Sequence, residues 1–129
     1  MKQQRFLALA RQISKKSDHP KYKMGCVIVK GKKVLGVGFN TCKTHTKSPH
    51  KYKSMHAEFM AAINAEFDIA GSTAYIFRQQ KDGTWAMAKP CGHCWAFLMS
   101  NGVKKVVYSF QGSFKQEKMV LDERDFHVR

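Results

Sequence analysis

The amino-acid sequence predicts a single-domain α/β protein, folded as a three-layer α-β-α sandwich over a five-stranded mixed sheet. Two patterns predict it. Apolar residues recur at helical spacing in three segments, and short runs of strand-forming residues separate them, so helices and strands alternate along the chain. A tight-turn signal, Gln111-Gly112-Ser113, then joins the last two strands directly, which makes that pair antiparallel. The length of 129 residues suits one domain spanning 1–129.

From the N-terminus, Phe6, Leu9, Ala10 and Ile13 give an amphipathic helix over residues 3–17, stopped by Asp18-His19-Pro20. Cys26-Val27-Ile28-Val29 and Val34-Leu35-Gly36-Val37 flank Gly31-Lys32 and read as a β-hairpin. A basic loop follows from Thr41 to Ser54. Met55, Phe59, Ala62 and Ile63 give a second helix. A strand over Thr73–Arg78 runs into a Lys81-Asp82-Gly83 turn and a short return segment, Thr84 to Ala88, to which the sequence assigns no role. Pro90 opens a third helix, which Asn101-Gly102 ends as a C-cap. Lys104–Phe110 and Phe114–Leu121 are the last two strands.

Composition narrows the class. Hydrophobic residues make up 43%, enough for a core, and no apolar run is long enough to cross a membrane. Met1-Lys2-Gln3-Gln4-Arg5 has charge but no apolar stretch behind it, so a cytoplasmic protein without a secretory signal is expected. In a reducing compartment the four cysteines are ligands or core residues rather than two disulfides. Cys26 reads as core and Cys42 as a free thiol. The formal net charge is +14, and residues 1–53 carry 14 basic side chains against one acidic residue, Asp18. A solvated surface would account for scattered lysines. So contiguous an excess reads instead as a polyanion-binding face.

The chemistry concentrates in two short segments. His56-Ala57-Glu58 stands at the start of the second helix, and Pro90-Cys91-Gly92-His93-Cys94 at the start of the third. Cys91 and Cys94 are three apart, so both sulfurs can reach one ion. With neutral His56 they give three protein ligands to one Zn²⁺ and leave the fourth position open, the catalytic arrangement. Glu58, two residues from a ligand, can lie beside the metal without binding it and shuttle protons. Two other readings compete. Cys-Gly-His-Cys also occurs in thioredoxin-like disulfide isomerases, but only 35 residues follow Cys94, too few for that fold. Cys42-Lys43-Thr44-His45 with Cys91 and Cys94 would make a closed Cys₃His site in a non-enzymatic nucleic-acid-binding module, leaving His56 and Glu58 unused. His93 reads as a surface residue or a neighbour of the ligands.

H-x-E followed by P-C-x-x-C is the zinc-deaminase signature, and with it the chain resembles the cytidine deaminase-like superfamily. Gly25 to Val29, Gly38-Phe39-Asn40 and Gly102 to Tyr108 extend the resemblance over nearly the whole chain. It implies a zinc-dependent hydrolase that deaminates a nucleobase, cytosine favoured. It also implies a catalytic Glu58, metal ligands His56, Cys91 and Cys94, and substrate contacts from Asn40, Ala57 and Tyr108. Two departures stand out. The Gly112 turn leaves no room for a helix before the last strand, which points away from the deoxycytidylate, tRNA and APOBEC branches. The Lys81-Asp82-Gly83 hairpin lengthens the gap between the two zinc segments.

The basic loop sets the expected substrate. Lys43, Lys47, Lys51 and Lys53 lead into His56, with Tyr52 among them, the cation-plus-aromatic pairing of single-strand binders. The expected partner is therefore nucleic acid, single-stranded DNA over RNA, with no membrane. A free (deoxy)cytidine nucleotide and adenosine in RNA are the alternative substrates.

Overall fold

The computed structural model describes residues 2–41 and 56–119. The elements are α1 (Lys2–Ser14), β1 (Tyr22–Lys30), β2 (Lys33–Phe39), α2 (Ala57–Asn64), β3 (Thr73–Gln80), β4 (Trp85–Ala86), α3 (Gly92–Ser100), β5 (Lys105–Phe110) and β6 (Ser113–Lys118). The sheet runs β2-β1-β3-β5-β6, with β4 paired to β3. Only β3 and β5 are parallel, joined through α3; every other pair is antiparallel. This is the expected α/β sandwich. Its sheet has one short strand more than the sequence suggests.

Strand alternation sorts the core into two halves. Cys26, Ile28, Ala74, Ile76, Val106 and Tyr108 pack with α2 and α3. Val27, Val29, Tyr75, Phe77 and Val107 lie on the other face with Phe6, Leu7, Ala10 and Ile13 of α1. Strands covered on both faces are apolar throughout, which is why β1 reads as an unbroken hydrophobic run. The outer strand β6 is mostly exposed and rich in lysine, as a solvated edge requires.

The predicted boundaries move by a few residues. α1 stops at Ser14 rather than 17, because Lys15, Lys16 and Ser17 donate three residues back in a tightened turn. β6 closes on β5 through a two-residue loop in which Gln111 (φ 45°) and Gly112 (φ 80°) both have positive φ, the geometry that matches strand twist. No helix intervenes between β5 and β6, as the turn signal predicts.

The Lys81–Gly83 hairpin also acquires a role. β5 pairs with β3 only as far as Ile76↔Tyr108, and beyond that point β4 takes over the edge of β3 at Arg78↔Ala86 and Gln79↔Trp85. One serine joins the three strands. Ser109 Oγ accepts from the Arg78 amide (3.0 Å) and donates to the Ala86 carbonyl (2.8 Å), while its own carbonyl accepts from Ala88 N–H (3.0 Å). The insertion thus fills a gap where β3 and β5 part.

Candidate metal centre and active site

Two helix N-termini meet on one side of the sheet. His56 caps α2 and Cys91 caps α3, both with extended backbone (φ −80°, ψ 146°; φ −64°, ψ 169°). The third helix therefore begins at Gly92, not at Pro90. An N-cap residue ordinarily spends its side chain on the helix's unpaired amides. Neither His56 nor Cys91 does so, which leaves imidazole and thiol for another partner. His56 Nδ1 lies 3.2 Å from Cys94 Sγ and 3.9 Å from Cys91 Sγ, and the three donor atoms all fall within 4.8 Å of one another. Among the described residues this is the one histidine–cysteine–carboxylate group that could hold a metal ion.

The donor set fits zinc. Cys94 is 1% exposed, and burial, followed by the Glu58 carboxylate and Cys91, pushes its thiol well above the ordinary range. A thiol so placed becomes a thiolate only beside a cation, which a metal supplies. Glu58 is 2% exposed, and its Oε1 has no hydrogen-bond partner among the described residues. Burial pushes its carboxyl up to about 7, against hydrogen bonds from its own backbone and Cys94 that pull it down. Buried carboxylates with an unsatisfied oxygen are rare in structural sites and common in reactive ones.

The seat of α2 explains why these groups meet. β2 presents Gly36 and Gly38 to the helix. A Cβ at Gly38 would collide with the Ala57 carbonyl and the Ala61 amide, and one at Gly36 with the Ala61 carbonyl and the Ala65 side chain. The first turn of α2 thus rests backbone-to-backbone on the sheet, with Ala57 fully buried beneath it. Gly38→Ala is expected to lift α2, to cost roughly 1–3 kcal/mol of stability by overpacking, and to weaken zinc binding at least tenfold. Urea unfolding and a chelator competition measure both quantities; unchanged values would show that α2 does not depend on this contact.

The structure treats the other expected contacts differently. Asn40 is 5% exposed and its side chain is engaged: Oδ1 accepts from Met24 N–H (2.8 Å) and Nδ2 donates to the Tyr22 carbonyl (3.3 Å). Tyr108 is 4% exposed, and its hydroxyl donates to Glu117 Oε2 at 2.5 Å. Glu117 also pairs with Lys89, two residues before Cys91, at 3.2 Å. This β6 carboxylate, which sequence reasoning missed, ties β5 to the segment carrying the cysteine ligands. His93 is exposed. Lys43, Lys47, Lys51, Lys53, Tyr52, Cys42 and His45 lie outside the described residues.

Residues 1–110 match the sequence profile of the cytidine and deoxycytidylate deaminase zinc-binding region. The chain belongs to this family. It is accordingly a zinc-dependent deaminase, and His56, Cys91 and Cys94 form the group that could hold the one zinc. The chain is 26% identical to the deoxycytidylate deaminase of Mycobacterium phage D29 over 125 residues, covering 80% of this chain and 90% of that protein. It is 30% identical to the diaminohydroxyphosphoribosylamino-pyrimidine deaminase of Buchnera aphidicola, covering 84% and 67%. Among solved structures, the dCMP deaminase of cyanophage S-TIM5 aligns with a TM-score of 0.62 at 23% identity, over 84% and 82% of the two chains. The cytidine deaminase of Burkholderia pseudomallei aligns at 0.64 and 18%, over 90% and 91%. The relatives thus include proteins named deoxycytidylate deaminases, the branch that the Gly112 turn pointed away from, while the family match itself ends at residue 110, before β6. No described helix is long and apolar enough to cross a membrane.

Proposed function

We propose that this protein deaminates a free cytosine nucleotide, deoxycytidylate, rather than cytosine within a polynucleotide. The observation that carries this reading is the similarity, over 80% of the chain, to a phage deoxycytidylate deaminase, joined to the His56–Cys91–Cys94 cluster with Glu58 on the first turn of α2. The two relatives described above bear names that denote aminopyrimidines on a phosphorylated sugar. The nucleic-acid expectation rested on charge, and among the described residues the fold disperses it. Arg5 and Arg11 belong to α1, in the layer opposite the cluster, and Lys15 and Lys16 follow it. Lys30, Lys32 and Lys33 sit at the hairpin end of β1 and β2, away from the first turn of α2, which rests on Gly38. A single phosphate needs no such array.

In the reaction, water adds to C4 of cytosine, the C4–N bond breaks, and uracil and ammonia leave. Zinc, when bound by His56, Cys91 and Cys94, supplies Lewis-acid activation of water at neutral pH. Glu58 moves the protons: its carboxylate takes one from the attacking water and delivers it to N3, then takes the second from the C4 hydroxyl of the adduct and delivers it to the departing amine. Its burial keeps bulk water from competing for those protons, and its unpartnered oxygen leaves it an acceptor to offer. Ala57, between ligand and proton carrier, contributes backbone to the same turn.

The zinc-loaded protein is to be given deoxycytidylate, deoxycytidine, single-stranded DNA, RNA and duplex DNA in parallel, with ammonia and base conversion measured for each. Deoxyuridylate is the expected product. Conversion of cytosine in single-stranded DNA with deoxycytidylate untouched would overturn the reading and restore the polynucleotide substrate. Inosine in RNA would move the base to adenine.

A further inference from the structure

The register of the sheet brings together residues that no motif connects. Gly38, against the first turn of α2, pairs with Cys26, and Cys26 with Ile76. This row lies directly beneath Glu58. One step along, about 7 Å away at strand rise, the next row on the same face begins at Asn40, whose amide donates to the Met24 carbonyl (3.2 Å). Met24 pairs with Arg78, and Arg78 with Ala86, five residues before Cys91. Arg78 thus stands on the sheet face that packs α2 and α3, one row on from Cys26 and Ile76, in the row that runs from Asn40 through Met24 to the segment entering α3.

Its guanidinium is held in place. It lies over the Tyr22 ring at 4.1 Å, and Tyr22 stacks in turn on His19, with centroids 4.2 Å apart and planes 28° apart. The His19 ring is itself fixed, because Nδ1 accepts from the Lys21 and Tyr22 amides. Arg78 Nε is buried and has no hydrogen-bond partner among the described residues. No acidic residue occurs between His19 and Ala57, so neither β1, β2 nor the loop leading to His56 contains a carboxylate to pair with it. A planar, pre-oriented cation, half-buried and stacked on an aromatic ring, is suited to a tetrahedral oxyanion, which a guanidinium binds through two parallel hydrogen bonds.

We propose that Arg78, steadied by Tyr22, binds the 5′-phosphate of the nucleotide substrate. The assignment rests on the free-nucleotide reading above and names the group that distinguishes nucleotide from nucleoside. Stacking removes most of the rotamer freedom that an arginine otherwise loses on binding, so the phosphate meets a site already formed. Glutamine retains hydrogen-bonding capacity without the charge; lysine retains the charge without the fork or the stack.

The test compares wild type, Arg78→Gln and Arg78→Lys, each loaded with zinc, on deoxycytidylate and deoxycytidine. Equilibrium binding of the products deoxyuridylate and deoxyuridine is measured alongside. Wild type is expected to prefer the monophosphate. Arg78→Gln should lower kcat/KM for deoxycytidylate by roughly 10- to 100-fold, the range of a lost charge-assisted hydrogen bond, mostly through KM, and weaken deoxyuridylate binding equally. Deoxycytidine should change less than about threefold, and Arg78→Lys should fall between wild type and Arg78→Gln. Equal losses on nucleotide and nucleoside would make Arg78 a structural stacking residue and overturn the assignment. A wild type that converts oligonucleotides but neither monomer would overturn the free-nucleotide reading, and Arg78's role with it.

Discussion

Glu58→Ala is expected to lower deamination by roughly 10²–10⁴-fold, the range for removal of a general acid–base group, while zinc content stays near one per chain. The carboxylate carries every proton in the proposed reaction, and among the described residues Glu58 is the one fully buried acid beside the cluster. Fold should survive the change. An oxygen buried without a partner adds nothing to stability that its removal could cost, and Glu58→Gln should unfold no more readily than wild type. Steady-state turnover, metal analysis and thermal unfolding of both variants provide the measurements. Turnover within a few-fold of wild type would remove Glu58 from the reaction, and loss of zinc would make it a ligand instead.

Cys94→Ser should lose the metal, activity and a large part of the stability together. Cys94 is buried in the first turn of α3, and its sulfur lies closer to His56 than that of Cys91 does. A serine hydroxyl there is a poor ligand for zinc and leaves two donors. Zinc binds the folded state, so at a free concentration a thousandfold above its dissociation constant it stabilises by about 4 kcal/mol. The variant should therefore unfold like the chelated wild type, and chelator should not affect it further. Unfolding with and without chelator, with zinc content determined on the same samples, checks this. Cys42→Ser and His45→Ala proteins that lose the zinc, beside a His56→Ala protein that keeps it, would transfer the site to the closed Cys₃His arrangement, and a Cys94→Ser protein that keeps its zinc would remove Cys94 from both.

Much of the fold can be read along the chain. Helix and strand periods, the Gly31 and Gly112 turns, and the antiparallel last strand all emerge from local patterns, because a turn or an amphipathic face is set by neighbours within a few residues. The return segment after the Lys81–Gly83 turn also reads locally, but its place in the sheet as β4 does not, since it takes the edge of β3 only where β3 and β5 part after Ile76↔Tyr108. Ser109, buried and bonded to both Arg78 and Ala86, has no local signal that separates it from any other strand serine.

The same division runs through the site. The sequence by itself singled out His56, Cys91 and Cys94 as the group that could hold zinc, with Glu58 beside them, because donor type and short spacing are what metal chemistry requires, and two short segments contain both. Tertiary structure alone decided the rest. It placed Arg5 and Arg11 in the layer opposite the cluster, turned the Asn40 side chain onto β1, and set Arg78 in one row with Met24 and Ala86. A net charge is a sum over the chain, whereas a binding surface depends on which side chains share a face. That sharing is fixed by long-range strand register, here among residues 24, 40, 78 and 86, which no local spacing encodes.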